Sequence, residues 1–133
     1  MNAEKIAVAK ACLEAAETGT LTFPQIVGRL MAEGFEGYAV DFRARTATYY
    51  MAGGGAAAFA IPDPEAEIAA TFDAAAVKSA IGEAQRLAPG YTYRGFCRKV
   101  AAAGCAGYGV SFPGRRVLYM GRTAETHVEY FPD

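Results

Sequence analysis

His127 is the only histidine in the chain, and it stands between two carboxylates in the stretch Glu125-Thr-His-Val-Glu-Tyr-Phe131. Side chains two residues apart on a β-strand project from one face, so this spacing predicts Glu125, His127 and Glu129 side by side. An imidazole beside a carboxylate is the constellation of general acid–base catalysis, and these three are the candidate catalytic residues. The same trio has donors for a divalent cation, but a typical zinc site asks for further His or Cys ligands, and no metal or other cofactor is expected. Arg115, Arg116 and Arg122 lie on the flanking segments and offer guanidinium forks to an anionic ligand. Tyr108 and Tyr119 join them as candidate ligand contacts. Set against this is a plainer reading, in which charged side chains on a strand form its solvated side or guard a sheet edge.

Other reactive residue types carry less. Cys12, Cys97 and Cys105 form no CxxC pair and no Cys/His cluster, which points to free thiols acting as small hydrophobes. Arg94, Arg98 and Lys99 make a basic cluster on a predicted helix, read as a solvated face because no stacking platform or DNA-reading motif accompanies it. Gly53-Gly-Gly55 permits close backbone approach but has no phosphate-loop context. No GxSxG, HExxH, Walker A or kinase signature is present.

The elements that must position these residues come as a repeat. At an offset of 70, residues 22–63 align with 92–133 without a gap, and 11 of the 42 positions are identical. They include Thr22/Thr92, Gly34/Gly104, Gly37/Gly107, Tyr38/Tyr108, Val40/Val110, Phe42/Phe112, Arg45/Arg115, Tyr49/Tyr119 and the closing Pro-Asp. Each copy opens on an apolar stripe at helical spacing: Ile6, Ala9, Leu13 and Ala16 in one, Val77, Ala80, Ile81, Ala84 and Leu87 in the other. A second helix follows a threonine, with Thr22 and Gln25 spaced as a capping box and Gly34 or Gly104 placed to end it. Three strands complete each copy. Period-two alternation puts Tyr38, Val40 and Phe42 on one face, and Tyr108, Val110 and Phe112 on another. Further strands are predicted over 46–51 and 116–120, then 56–61 and 126–131.

The expected fold is therefore α+β: a duplicated helix-helix-strand-strand-strand unit, copies 1–63 and 64–133 of one domain, related by a pseudo-twofold. Helices should pack on one face of antiparallel sheet, with the halves meeting edge to edge or face to face. The third strands differ most between copies, because Gly55-Ala-Ala-Ala-Phe-Ala-Ile61 stands where the second copy has its Glu/His trio. If the two strands meet, the alanines leave room beside the polar strand.

The stretches Thr92-Tyr-Arg-Gly-Phe-Cys97, Ala102-Ala-Gly-Cys-Ala-Gly-Tyr108, Gly114-Arg-Arg116 and Tyr119 are similar to the YdfO/YbcV-like family of small bacterial and prophage proteins. Gly37-Tyr-Ala-Val-Asp41 and Thr48-Tyr-Tyr50 match the family's first half, while Ser111 stands where the second half usually has aspartate. Some members carry a phage envelope label. The resemblance implies a compact α+β fold and an intracellular protein, and it implies no established reaction.

The chain has 133 residues, 13 basic and 14 acidic. Residues 1–70 carry a balance of −4 and residues 71–133 one of +3, so there is no global field to gather phosphate, and nucleic acid is not an expected partner. Alanine supplies 29 residues, so the apolar fraction of 53% is rich in methyl groups rather than large side chains. No apolar run approaches the ~20 residues of a membrane span, and no basic leader with an apolar core opens the sequence, so a cytoplasmic protein is expected. The leading functional expectation is a non-enzymatic binding or interaction protein that recognises a protein partner or small anionic ligand through its second copy. One alternative is a small enzyme using His127 with Glu125 or Glu129 and an arginine-lined anion site. Another is a phage-derived structural or regulatory component. Oligomeric state is left open by the sequence.

Overall fold

Capping residues set where the helices start. In the computed structural model, which describes residues 1–132, Asn2 caps α1 (Ala3–Thr18) and Thr22 caps α2 (Phe23–Ala32). The Thr22–Gln25 capping box forms in full, and Pro24 occupies the first turn, where its missing N–H costs nothing. Asp73 and Thr92 cap α3 (Ala74–Gln85) and α4 (Tyr93–Ala102) in the same manner. Gly34 and Gly104 follow α2 and α4 with φ of 91° and 95°, left-handed values that favour glycine.

The strands are β1 (Phe35–Asp41), β2 (Thr46–Met51) and β3 (Ala56–Ala60), then β4 (Cys105–Ser111), β5 (Arg116–Gly121) and β6 (Thr126–Tyr130). Each half thus runs α-α-β-β-β, and each forms an antiparallel meander. The halves join edge to edge: β1 pairs with β4, giving one six-stranded antiparallel sheet in the order β3-β2-β1-β4-β5-β6. Equivalent turns close the first hairpins. The Asp41 carboxylate accepts from the N–H groups of Arg43 and Ala44, and the Ser111 hydroxyl accepts from that of Gly114. Serine therefore does at 111 the turn-closing work that aspartate does at 41. Arg45 and Arg115 follow with φ of 56° and 50°. Arg45 also pairs with Asp63 at 3.0 Å, and the sequence counterpart of Asp63, Asp133, lies outside the described residues.

The core lies between the helices and one face of the sheet. Tyr38, Val40, Ala47, Tyr49, Tyr108, Val110, Val117 and Tyr119 share that face and meet Leu30, Val77, Ile81 and Val100 from the helices. On α1 the buried stripe is Ala9, Cys12 and Leu13, whereas Ile6, expected inside, is exposed. The alanines are part of the geometry, since Ala9, Ala47 and Ala101 are wholly buried and allow close approach of their elements.

The β1–β4 seam is tightly packed. A Cβ built on Gly37 would collide with the Val110 carbonyl oxygen, and one on Gly107 with that of Val40. Gly109, on the same strand, has open space. Gly37→Ala and Gly107→Ala should each cost roughly 1–3 kcal/mol in urea denaturation, because backbone must move to admit the methyl group. Gly109→Ala should stay within about 0.5 kcal/mol of wild type. Equal effects at the three sites would show that the seam is not sterically limited.

Candidate functional site

β6 carries His127 and Glu129 on the face that looks toward the helices. His127 Nε2 lies 3.1 Å from Glu129 Oε1, and the ring stacks against Tyr119, its cross-strand neighbour. Their side chains are 17% and 32% exposed. Glu125 does not join them. It precedes β6 in a tight turn, its N–H donating to the Thr123 hydroxyl and its carbonyl accepting from Gly121, and its residue is exposed. The expected trio is thus a pair, because the strand begins one residue too late to align the third member. Among the described residues, no three His, Cys, Asp or Glu side chains gather as a cation site would need.

The arginines are dispersed as well. Arg115 lies in the β4–β5 turn with its guanidinium over the Phe131 ring. Arg122 is at the opposite end of β5, where it donates to the Ile68 carbonyl and ties the turn to the segment between the two halves. Arg116 belongs to the other side of the sheet and stacks 4.7 Å above the Tyr130 ring. Residues adjacent along a strand point to opposite faces, which separates Arg115 and Arg116 despite their sequence proximity. Tyr108 and Tyr119 lie in the core, 8% and 6% exposed, and so stand behind the helices rather than before a ligand. The Tyr108 hydroxyl shares a 2.6 Å hydrogen bond with that of Tyr93. Finally, β3 and β6 are the two opposite edges of the sheet, so within one chain the alanine strand never faces the polar one.

Two members of the basic cluster on α4, Arg94 and Lys99, are engaged by carboxylates. Arg94 lies 3.6 Å from Glu17 and 3.4 Å from Glu65, and Lys99 lies 2.9 Å from Glu83. Glu17 is a polar feature that the sequence does not signal. Its Oε2 is buried, has no hydrogen-bond partner among the described residues, with the Arg94 guanidinium 3.6 Å away, and lies beside Tyr93, Cys97 and Phe42. Burial pushes its carboxyl up, with Arg94 pulling against the shift. The three cysteines are free and buried. Burial pushes the Cys97 thiol up to about 12 and the Cys105 thiol to about 11, and Cys12 moves in the same direction.

A further surface is the sheet face opposite the core, which the helices leave uncovered among the described residues. Three rows cross it: Ala56, Tyr50, Gly37, Ser111, Arg116, Tyr130; then Ala58, Thr48, Ala39, Gly109, Leu118, Val128; then Ala60, Thr46, Asp41, Gly107, Met120, Thr126. Tyr50, Leu118, Met120, Val128 and Tyr130 are exposed. A shallow depression of about 590 Å³ opens at one end of this face, lined by Glu36, Gly37, Tyr50, Gly54, Ala56 and Ser111. The signal for this surface is present in the sequence: Val117-Leu-Tyr-Met120 is apolar at both parities, whereas a strand with one solvated face should alternate. No known family model matches the chain, and no curated protein matches it.

Two outcomes follow from the buried groups. All three thiols should resist a thiol-specific chromogenic reagent at pH 8 and react together in denaturant, and rapid labelling of the native protein would contradict their burial. For Glu17, the folded carboxyl is held above its unfolded value, so its contribution favours folding at low pH and is lost as pH rises through the folded value. Glu17→Gln should therefore stabilise the protein at pH 7, with the gain shrinking toward pH 4. Urea melts at the two pH values check the sign.

Proposed function

We propose that this chain is a non-enzymatic interaction protein of the cytoplasm and that the uncovered sheet face is its recognition surface. The observation that carries the reading is the row of exposed apolar side chains on β5 and β6. Antiparallel sheets commonly keep a solvated face, but that face is then polar. Here it presents Leu118, Met120, Val128 and Tyr130 together, with Arg116 held over the Tyr130 ring. Contiguous exposed apolar surface of this kind marks contact sites, and Tyr, Met and Arg are the residue types enriched at them. Leu118, Met120, Val128 and Tyr130 belong to the second half of the chain, which supports a bias of recognition toward that half, and Tyr50 adds one aromatic side chain from the first. Arg116 also gives the surface an affinity for an anionic group on whatever binds.

The YdfO/YbcV-like resemblance enters this proposal only as support for an intracellular protein. It adds no reaction. His127 and Glu129 lie within hydrogen-bond distance of each other, but Arg115, Arg116 and Arg122 are not gathered around them, so no anion site accompanies the pair.

Hydroxyl-radical footprinting tests the reading without knowledge of the partner. Inside cells, Met120, Tyr130 and Tyr50 should be labelled several-fold less than in the purified chain at nanomolar concentration. Met31, exposed on α2, should be labelled equally in both. Equal labelling of the sheet face in the two settings would sink the proposal.

A further inference from the structure

We infer that the occupant of this face is a second copy of the same chain, packed sheet on sheet about a twofold axis parallel to the strands. The inference rests on the interaction reading above and names the partner. Its basis is a division of bulk across the face. The half contributed by β2 and β3 shows Thr46, Thr48, Ala56, Ala58 and Ala60, with Tyr50 as its one large residue at the end of a row, whereas the half contributed by β5 and β6 shows Leu118, Met120, Val128, Tyr130 and Arg116, with Thr126 as its one small residue. Between them the central strands show Gly37, Ala39, Gly107 and Gly109, with Ser111 and Asp41 at the two ends, where each closes its own hairpin turn.

Rotation by 180° about an axis running along the β1–β4 seam, in the plane between two facing sheets, exchanges left and right. It lays β6 of each copy over β3 of the other, and β5 over β2. Leu118 then faces Thr48, Val128 faces Ala58, Met120 faces Thr46, and the large half of each chain fills the small half of its partner. A twofold axis across the strands would instead set large on large and leave small on small. Only the first arrangement fills the space between sheets about 10 Å apart.

Charge agrees with shape. The same rotation brings Arg116 and Tyr130 of one copy over the depression lined by Glu36, Gly37, Tyr50 and Ser111 in the other. Arg116 meets there the Tyr50 ring and the Glu36 carboxylate, a cation–π contact and an ion pair formed twice by symmetry. Six strands of this length make a face of roughly 29 by 20 Å, on the order of 600 Å² before side-chain relief is counted. That approaches the roughly 800 Å² per partner of a standard stable interface.

Sedimentation velocity with light scattering, from low to high micromolar concentration, decides the matter. The wild type should be a dimer of twice the 14.0 kDa chain mass. Leu118→Glu should weaken it about 100-fold or more, as burial of an unpaired carboxylate does, while circular dichroism and melting stay native. Val128→Lys is a second disrupting variant should the first one unfold. The double variant Leu118→Glu/Thr48→Lys should restore the dimer, since only the crossed arrangement places these positions opposite each other. A monomeric wild type, a dimer indifferent to Leu118→Glu and Val128→Lys (as pairing through the β3 or β6 edges would be), or a double variant that stays monomeric each overturns the inference. A monomer in buffer whose sheet face is nevertheless protected in cells would overturn the second copy alone and leave the interaction reading standing. A monomer whose face is unprotected in cells would remove both.

Discussion

The antiparallel pairing of β1 with β4 is the constraint on which the rest of the structure depends. Neither half has a closed core of its own: each is a three-stranded meander with two helices, below the size at which one hydrophobic core is secure. The seam makes one sheet from two, and it does so without side chains between the strands. Gly37 and Gly107 let each strand approach the opposing carbonyls, and the ladder continues past the strand ends through Phe112 N–H to the Glu36 carbonyl and Phe42 N–H to that of Ala106. Tyr38 and Tyr108 meet edge to face directly above this seam. With Tyr49, Phe96, Phe112 and Tyr119 they form a continuous aromatic cluster that spans both halves. Aromatic pairs of this kind contribute roughly 0.5–1.5 kcal/mol each beyond their buried area, and here they bridge the two halves at their junction.

A second consequence of the seam is that all four helices end on the same side. Each half places its helices on the face that carries Tyr38 and Val40 or Tyr108 and Val110, and edge-to-edge joining keeps those faces together. The opposite face is left bare. Joining the halves face to face would have covered it and closed a sandwich within one chain. The chemistry of the bare face then follows from strand parity alone. Its first half is mostly small residues apart from Tyr50, its second half carries Leu118, Met120, Val128 and Tyr130, and nothing among the described residues reaches across to cover either.

Much of the fold is legible in the residues. Thr22 with Gln25, and Gly34 with Gly104, mark helix ends by mechanisms that act within a few residues, so they read correctly without tertiary context. The alternation through Tyr38, Val40 and Phe42, and its copy 70 residues later, fixes the buried face. The candidate site is another matter. The contrast between an alanine third strand and its Glu/His counterpart singles out His127, and strand parity accounts for only part of its surroundings. His127 and Glu129 do share a face, but Glu125 falls in the turn and Arg116 points the other way. Val128 and Tyr130, which are exposed on the uncovered face, alternate with the histidine on the same strand. Likewise Arg94 and Lys99, which read as free surface charge, are held by Glu17, Glu65 and Glu83 from segments distant in sequence.

The sequence by itself determined the element order, the ends of α2 and α4, the α+β class and the buried face of β1 and β4, because all of these rest on local sterics, local hydrogen bonds and periodicity. Only the tertiary structure decided that the halves join through β1 and β4, since an edge has no preference for its partner until close packing permits one. That single choice sets β3 and β6 at opposite margins of the sheet and sends the arginines to separate places. It also leaves one apolar face open, and an open face is a property of what the rest of the chain fails to cover, which no strand encodes on its own.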